Sequence, residues 1–200
     1  TVQVIAALEA LRAAGELEKR QALIAVPASV VINWTRELRR FAPELSVNVY
    51  YGTQRSLEPQ THVLLTTYGT LRQDIEKLKD KKWRVAVADE AQNIKNPGSQ
   101  IFQDMCLLQT DSSIAMSGTP VENRLADYWA IMEFVNPGLF GTLGSFTSDY
   151  AQPIERNRDA DAVKRLRSVT APFILRRLKT DKSVIADLPD KISSDRFCEL

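Results

Sequence analysis

The sequence predicts an α/β protein: a mostly parallel sheet sandwiched by helices over residues 1–130, then an α-helical extension over 131–200. Three observations carry this. The strand-like stretches, such as "ALIAV" at 22–26 and "VAVA" at 85–88, are unbroken apolar runs, the pattern of strands covered on both faces. Segments of helical periodicity lie between them, as parallel crossovers require. From Ser145 onward no β-rich run returns until the last few residues.

The chain opens in helix, with Val2, Ile5, Leu8 and Leu11 at helical spacing and alanines filling the interval before Gly15. "ALIAVP" is a buried strand stopped by Pro27. "SVVINWTRELRRFA" reads as a helix with Ser29 at its N-cap and Val30, Trp34, Leu38 and Phe41 on its apolar face. "SVNVYYG" and "HVLLTTY" are β-rich, "TLRQDIEKLKDKK" is one charged helix, and "RVAVADE" and "SSIAMSGTP" are strands ending in polar residues. After Pro120 a helix carries Leu125, Trp129, Met132 and Phe134 or Val135 on its stripe and closes at Pro137-Gly138. The remainder reads as helices broken at Pro172 and Pro189. Trp83, Trp129 and Phe173 fall on apolar faces and are expected in the core; His62, the only histidine, is expected at a strand edge.

Composition is that of an ordinary soluble globular domain, with 44% hydrophobic and 26% charged residues. No run approaches the roughly eighteen apolar residues of a membrane span, so no membrane association is expected. The first residues lack a basic n-region and cleavage site. Cys106 and Cys198 stand far apart without metal spacing, which suits reduced thiols in a cytoplasmic or nuclear protein. A net charge of +1 gives no global case for nucleic acid. Locally, seven basic residues against one acid lie between Lys164 and Lys182, either a solvated face or a phosphate-binding patch. The run "KLKDKKWR" admits the same two readings, a solvated helix end being the preferred one.

Asp89 and Glu90 end an apolar strand, and in parallel sheets ligands bind beyond the carboxyl ends of the strands. Paired acids there are costly unless they hold something positive. A Mg²⁺ ion arriving with a nucleotide phosphate suits them, Asp89 holding the hydrated ion and Glu90 activating water. The alternative is that both merely cap a following helix. Ser117-Gly118-Thr119 is a small-residue turn after the next strand, able to approach a ligand or relay a change between sites.

"LIAVPASVVINWTREL", "ADEAQNIKN", "SGTPVENRLADYWAIMEFVNPGLFG" and "PFILRRLKTDKSVIADLPDK", in this order and spacing, strongly resemble the Swi/Snf-type family of ATP-driven nucleic-acid translocases, within the second helicase-like superfamily. The resemblance runs from Thr1 to about Lys191 and implies a RecA-like first lobe. It implies that Asp89 and Glu90 handle Mg²⁺ and the hydrolytic water, and that Gln92, where family members often carry His, helps sense the γ-phosphate or couple it to the Ser117-Gly118-Thr119 turn. Ser117, Gly118 and Thr119 match the turn linking ATP state to nucleic-acid grip. Pro27, Asn33 and Trp34, with Thr66, Thr67 and Tyr68, lie in segments resembling the strand-tracking motifs, which hold the sugar–phosphate backbone. For Trp34 the preferred reading is packing of its helix onto the sheet, the alternative being an approach to the nucleic-acid groove. Arg176, Arg177 and Lys179 resemble the linker toward a second lobe and could touch DNA or that lobe.

One departure matters. No G-x-x-x-x-G-K-[ST] occurs in the 200 residues. Thr1 matches the last residue of the family's phosphate loop, whose hydroxyl would ligate Mg²⁺, so the rest of that loop is expected before it and the second lobe after Leu200. The expectation is therefore an ATP hydrolase in the parent protein, coupling ATP and Mg²⁺ to movement on double-stranded DNA and remodelling of protein–DNA complexes, with these residues alone inactive. It would work in the cytoplasm (nucleoid) of a prokaryote or the nucleus of a eukaryote. The competing classes are a DNA- or protein-binding module without hydrolysis and an unrelated Mg²⁺-dependent phosphohydrolase; further strand-end acids for the latter are not found.

Overall fold

The structure, a computed structural model, describes residues 1–118 and 124–176. The chain divides into two units, Thr1–Arg158 and Asp159–Leu200.

In the first unit, helix α1 (Val2–Ala13) buries Val4, Ile5 and Leu8 and stops at Gly15, whose φ of +72° suits glycine. Strand β1 (Ala22–Val26) is buried at every residue. A 3₁₀ turn, Ala28–Val30, leads into α2 (Val31–Phe41), which buries Val31, Trp34 and Leu38. Strands β2 (Val47–Tyr50) and β3 (Val63–Thr67) follow, then α3 (Tyr68–Gln73) and α4 (Ile75–Leu78). Next come β4 (Lys82–Trp83), β5 (Val85–Ala88), α5 (Gln100–Cys106), β6 (Gln109–Thr110) and β7 (Ser113–Ala115). Helix α6 (Leu125–Val135) precedes α7 (Leu143–Phe146), a π turn at Thr147–Ala151 and α8 (Gln152–Asn157).

Five strands pair in the order β2-β3-β1-β5-β7, all parallel. β1, β3 and β5 have no exposed residue, which is why their sequences are continuous apolar runs. Edge strand β2 instead alternates, exposing Val49 and burying Asn48 and Tyr50. Register sets Ala25 beside both Thr66 and Ala88, so Pro27, Tyr68 and Asp89 emerge together at one edge. On one face, α1 and α2 bring Ile5, Leu8, Trp34 and Leu38 into a single core with Ile24, Leu65 and Val87. Burying side chains of this size is worth about 1.5–3 kcal/mol each.

Several expectations are corrected. Ser29 does not cap α2: it sits inside the 3₁₀ turn, and the N-cap position is Val30, with no side-chain bond. Phe41 is 45% exposed, because the buried stripe ends at Leu38 and its ring lies beneath the Arg40 guanidinium. The single helix expected at 70–82 is broken at Asp74, whose carboxylate is drawn inward by Arg55 (2.6 Å), Tyr50 (2.9 Å) and Lys77 (3.1 Å). Phe173, expected in the core, is half exposed. Trp83 and Trp129 are buried as expected. His62 accepts from the Ser46 N–H at 3.0 Å. In the basic run, Lys77, Lys79 and Arg84 pair with Asp74, Glu76 and Glu16, while Lys81 lies over the Trp83 ring.

In the second unit, α9 (Ala160–Thr170) is capped by the Asp159 carboxylate, which accepts from the N–H groups of Asp161 and Ala162. A 3₁₀ turn at Ala171–Phe173 contains Pro172, where the helix was expected to break. Lys164, Arg165, Arg167 and Arg176 are exposed.

Candidate functional site

Asp89 leaves the sheet on the last rung of the β1–β5 ladder, its N–H donating to the Ala25 carbonyl at 2.9 Å. Glu90 then adopts φ +50°, ψ +57°, a left-handed conformation that costs a non-glycine residue about 1–2 kcal/mol. This reverses the chain into a 3₁₀ turn at Ala91–Ile94. Glu90 makes no side-chain cap on that turn, so the helix-capping alternative does not describe it.

Each polar group of Asp89 has a partner. Oδ1 accepts from the Glu90 N–H at 3.0 Å, and Oδ2 from Trp34 Nε1–H at 2.6 Å. Its carbonyl accepts from the Tyr68 hydroxyl at 2.6 Å. Burial and the charges of Asp89 and Glu90 push the Tyr68 phenol well above its ordinary pKa, so it stays protonated and a donor.

Glu90 is tied to the next strand. Gln92 Nε2 donates to Glu90 Oε2 at 2.7 Å, and Gln92 Oε1 accepts from the Ser117 hydroxyl at 3.0 Å. A carboxylate accepts only, so this is the amide orientation that serves both partners. The backbone doubles the tie: Met116 N–H donates to the Ala88 carbonyl and Ala91 N–H to the Met116 carbonyl, both at 2.8 Å.

Thr1, Asn33, Trp34, Asp89, Glu90, Ser117 and Gly118 share a cleft of about 360 Å³, with Glu37 on its wall. Thr1 is the N-cap of α1 and its side chain makes no cap bond. The cleft is thus bordered by a helix amino terminus, which favours anions. Glu37 and the Trp34–Asp89 bond escaped the sequence reading. Their only signal was that Asn33, Trp34 and Glu37 share one face of a helix starting at the carboxyl edge.

Other expected site residues turn their polar groups inward or lie away from the cleft. Thr66 is wholly buried and its hydroxyl donates to the Tyr50 carbonyl. The Thr67 hydroxyl caps α3 through the Thr70 N–H and donates to Thr70 Oγ1. Trp34 and Tyr68 are buried at 2% and 8% exposure, their donors spent on Asp89. The polar side-chain groups of these four serve the protein interior and support the edge from within, which for Trp34 is the preferred packing reading. Pro27 is half-buried, with its carbonyl accepting from Val30 N–H. Arg176 is exposed in the second unit. Thr119, Arg177 and Lys179 lie outside the described residues. Among the described residues no cluster of three His, Cys, Asp or Glu groups could hold a metal.

A parallel sheet flanked by helices, with two acids beyond a central strand and a Ser-Gly turn beyond its neighbour, defines a RecA-like α/β lobe. The chain belongs to the family of SNF2-related domains, whose model matches residues 1–200. Its fold matches the SWI2/SNF2 ATPase core of Sulfolobus solfataricus in complex with dsDNA, with a TM-score of 0.85 and 41% identity over 95% of this chain and 40% of that one. YwqA of Bacillus subtilis is 39% identical over all of this chain and 22% of its own length. Helicase ssl-1 of Caenorhabditis elegans is 36% identical over 89% of this chain and 8% of its own length. The chain thus spans well under half of the proteins it matches.

Proposed function

We propose that this chain is the first lobe of an ATP-driven motor that moves on double-stranded DNA and remodels protein–DNA complexes. Residues 1–130 form the ATPase lobe and 131–200 the helical extension toward a second lobe. The observation that carries the reading is the hydrogen-bond chain from Glu90 through Gln92 to Ser117, in one cleft with Asp89 and Thr1. The Sulfolobus neighbour, an ATPase core bound to dsDNA, supports the same substrate pair.

The chemistry follows from the placement. The α1 amino terminus at Thr1 receives a phosphate chain. The oxygen donors of the cleft (Thr1, Asp89, Glu90, Ser117) suit Mg²⁺, with Thr1 and Asp89 holding it, and the bound ion would neutralise phosphate charge. Trp34 and the Glu90 N–H fix the Asp89 carboxylate, so its position is set before nucleotide arrives. Glu90, held by Gln92, orients an attacking water and takes its proton. Gln92 carries any change at Glu90 to Ser117 and the turn that follows.

The test is duplex-stimulated ATP hydrolysis by the full-length protein. Glu90→Gln is expected to lower the turnover at least about 100-fold while leaving DNA binding in place. DNA binding without hydrolysis by the unaltered protein would instead mark a binding module. DNA-stimulated turnover by these 200 residues alone would overturn the assignment as one lobe of two.

A further inference from the structure

Two segments expected to face DNA converge on one residue. Helix α2 starts at the carboxyl edge after Pro27 and sends Trp34 Nε1–H to Asp89 Oδ2 at 2.6 Å. Helix α3 starts at the same edge after Thr67 and sends the Tyr68 hydroxyl to the Asp89 carbonyl at 2.6 Å. Trp34 contacts Asp89 across 55 residues of sequence and Tyr68 across 21. We propose that Trp34 and Tyr68 are positioning residues that transmit movement of the α2 and α3 edge to the Asp89 carboxylate, a coupling route separate from Gln92–Ser117.

The physical basis is stiffness. Trp34 is 2% exposed and packed in the core with Leu38, Leu65 and Val87, so its ring cannot turn without moving α2. Asp89 is held at three points: Oδ1 by the following N–H, Oδ2 by the indole and the carbonyl by the phenol. A short charge-assisted bond to Oδ2 leaves little slack. A small shift of α2 therefore rotates the carboxylate or breaks the bond, and a shift of α3 pulls on the backbone behind it. Neither side chain reaches solvent enough to bind DNA itself, which separates this role from a contact role.

The inference rests on the motor reading above, and its test separates the two. In the full-length protein, duplex affinity is measured with and without a non-hydrolysable ATP analogue and Mg²⁺, alongside DNA-stimulated hydrolysis. Coupling between two ligands is reciprocal, so the change in DNA affinity reports it without turnover. Trp34→Phe keeps an aromatic ring and removes the N–H; Tyr68→Phe removes one oxygen and serves if the first variant folds poorly. Each is expected to reduce both the nucleotide effect on DNA affinity and the stimulation by DNA about threefold to tenfold. A purely structural role would lower thermal stability and leave both ratios at the unaltered value, which would overturn the proposal. If the unaltered protein shows neither coupling nor stimulated hydrolysis, the motor reading itself has failed.

Discussion

Ser117 and Gln92 are joined by a 3.0 Å hydrogen bond, and through Gln92 the hydroxyl turn after β7 is one side chain removed from Glu90. Residues linked in this way act as a unit, so their effects should not add. Gln92→Ala and Ser117→Ala are each expected to lower DNA-stimulated turnover of the full-length protein. The double variant should be little worse than either, giving a coupling of about 1–2 kcal/mol in a double-mutant cycle. Strict additivity would show that the bond carries nothing.

Glu90 offers a test of stored strain. Glu90→Ala and Glu90→Gly both remove the carboxylate, but only glycine occupies φ +50° freely. Urea unfolding should find Glu90→Gly more stable than Glu90→Ala by about 1 kcal/mol. Equal stability would show that the backbone relaxes out of the left-handed conformation.

Asp74 sets an acid limit on stability. Hydrogen bonds from Arg55 above all hold its pKa at about 2, against an ordinary 3.8. Because the folded value is depressed, the stabilisation is present above 3.8 and is lost as pH falls from there toward about 2. Urea midpoints followed from pH 7 downward should fall in that window, and Asp74→Asn should flatten the fall while lowering stability at pH 7. Asp74→Ala, which strands Arg55 and the Tyr50 hydroxyl, should cost about 2–3 kcal/mol at pH 7.

Helix α2 should divide sharply between Leu38 and Phe41. Leu38 is 1% exposed and Phe41 45%. Leu38→Ala is expected to cost about 2–5 kcal/mol and Phe41→Ala under about 1 kcal/mol, measured by chemical unfolding. Comparable losses would place Phe41 in the core.

Much of this was legible in the sequence because burial on both faces leaves a plain mark. β1, β3 and β5 announce themselves as apolar runs, and the acids after Ala88 stand out against one of them. Strand order was not legible, since pairing β1 with both β3 and β5 is a long-range choice that local pattern does not encode. The inward turn of Thr66 and Thr67 was hidden for a related reason: a hydroxyl at a strand end looks the same whether it faces a phosphate or a carbonyl. Helix periodicity marked Trp34 as a packing residue but said nothing of its indole N–H. Asp74 was read as one more charge in a helix, because Arg55 and Tyr50, the groups that pull it inward, lie far away in sequence.

The central place of β1 also shapes how the chain is made. Its partners begin only at Val63 and Val85, and the last described strand of the sheet ends at Ala115. During synthesis the five apolar residues of β1 emerge with no neighbour to pair with and wait through the translation of two further segments. Parallel pairings of this separation form slowly, because each must close a long loop before any contact offsets the lost entropy. For this lobe, the hazard of aggregation is therefore concentrated in the interval while β1 awaits β3 and β5, and a chaperone that shields residues 22–26 would act on the segment left unpaired longest among the described strands.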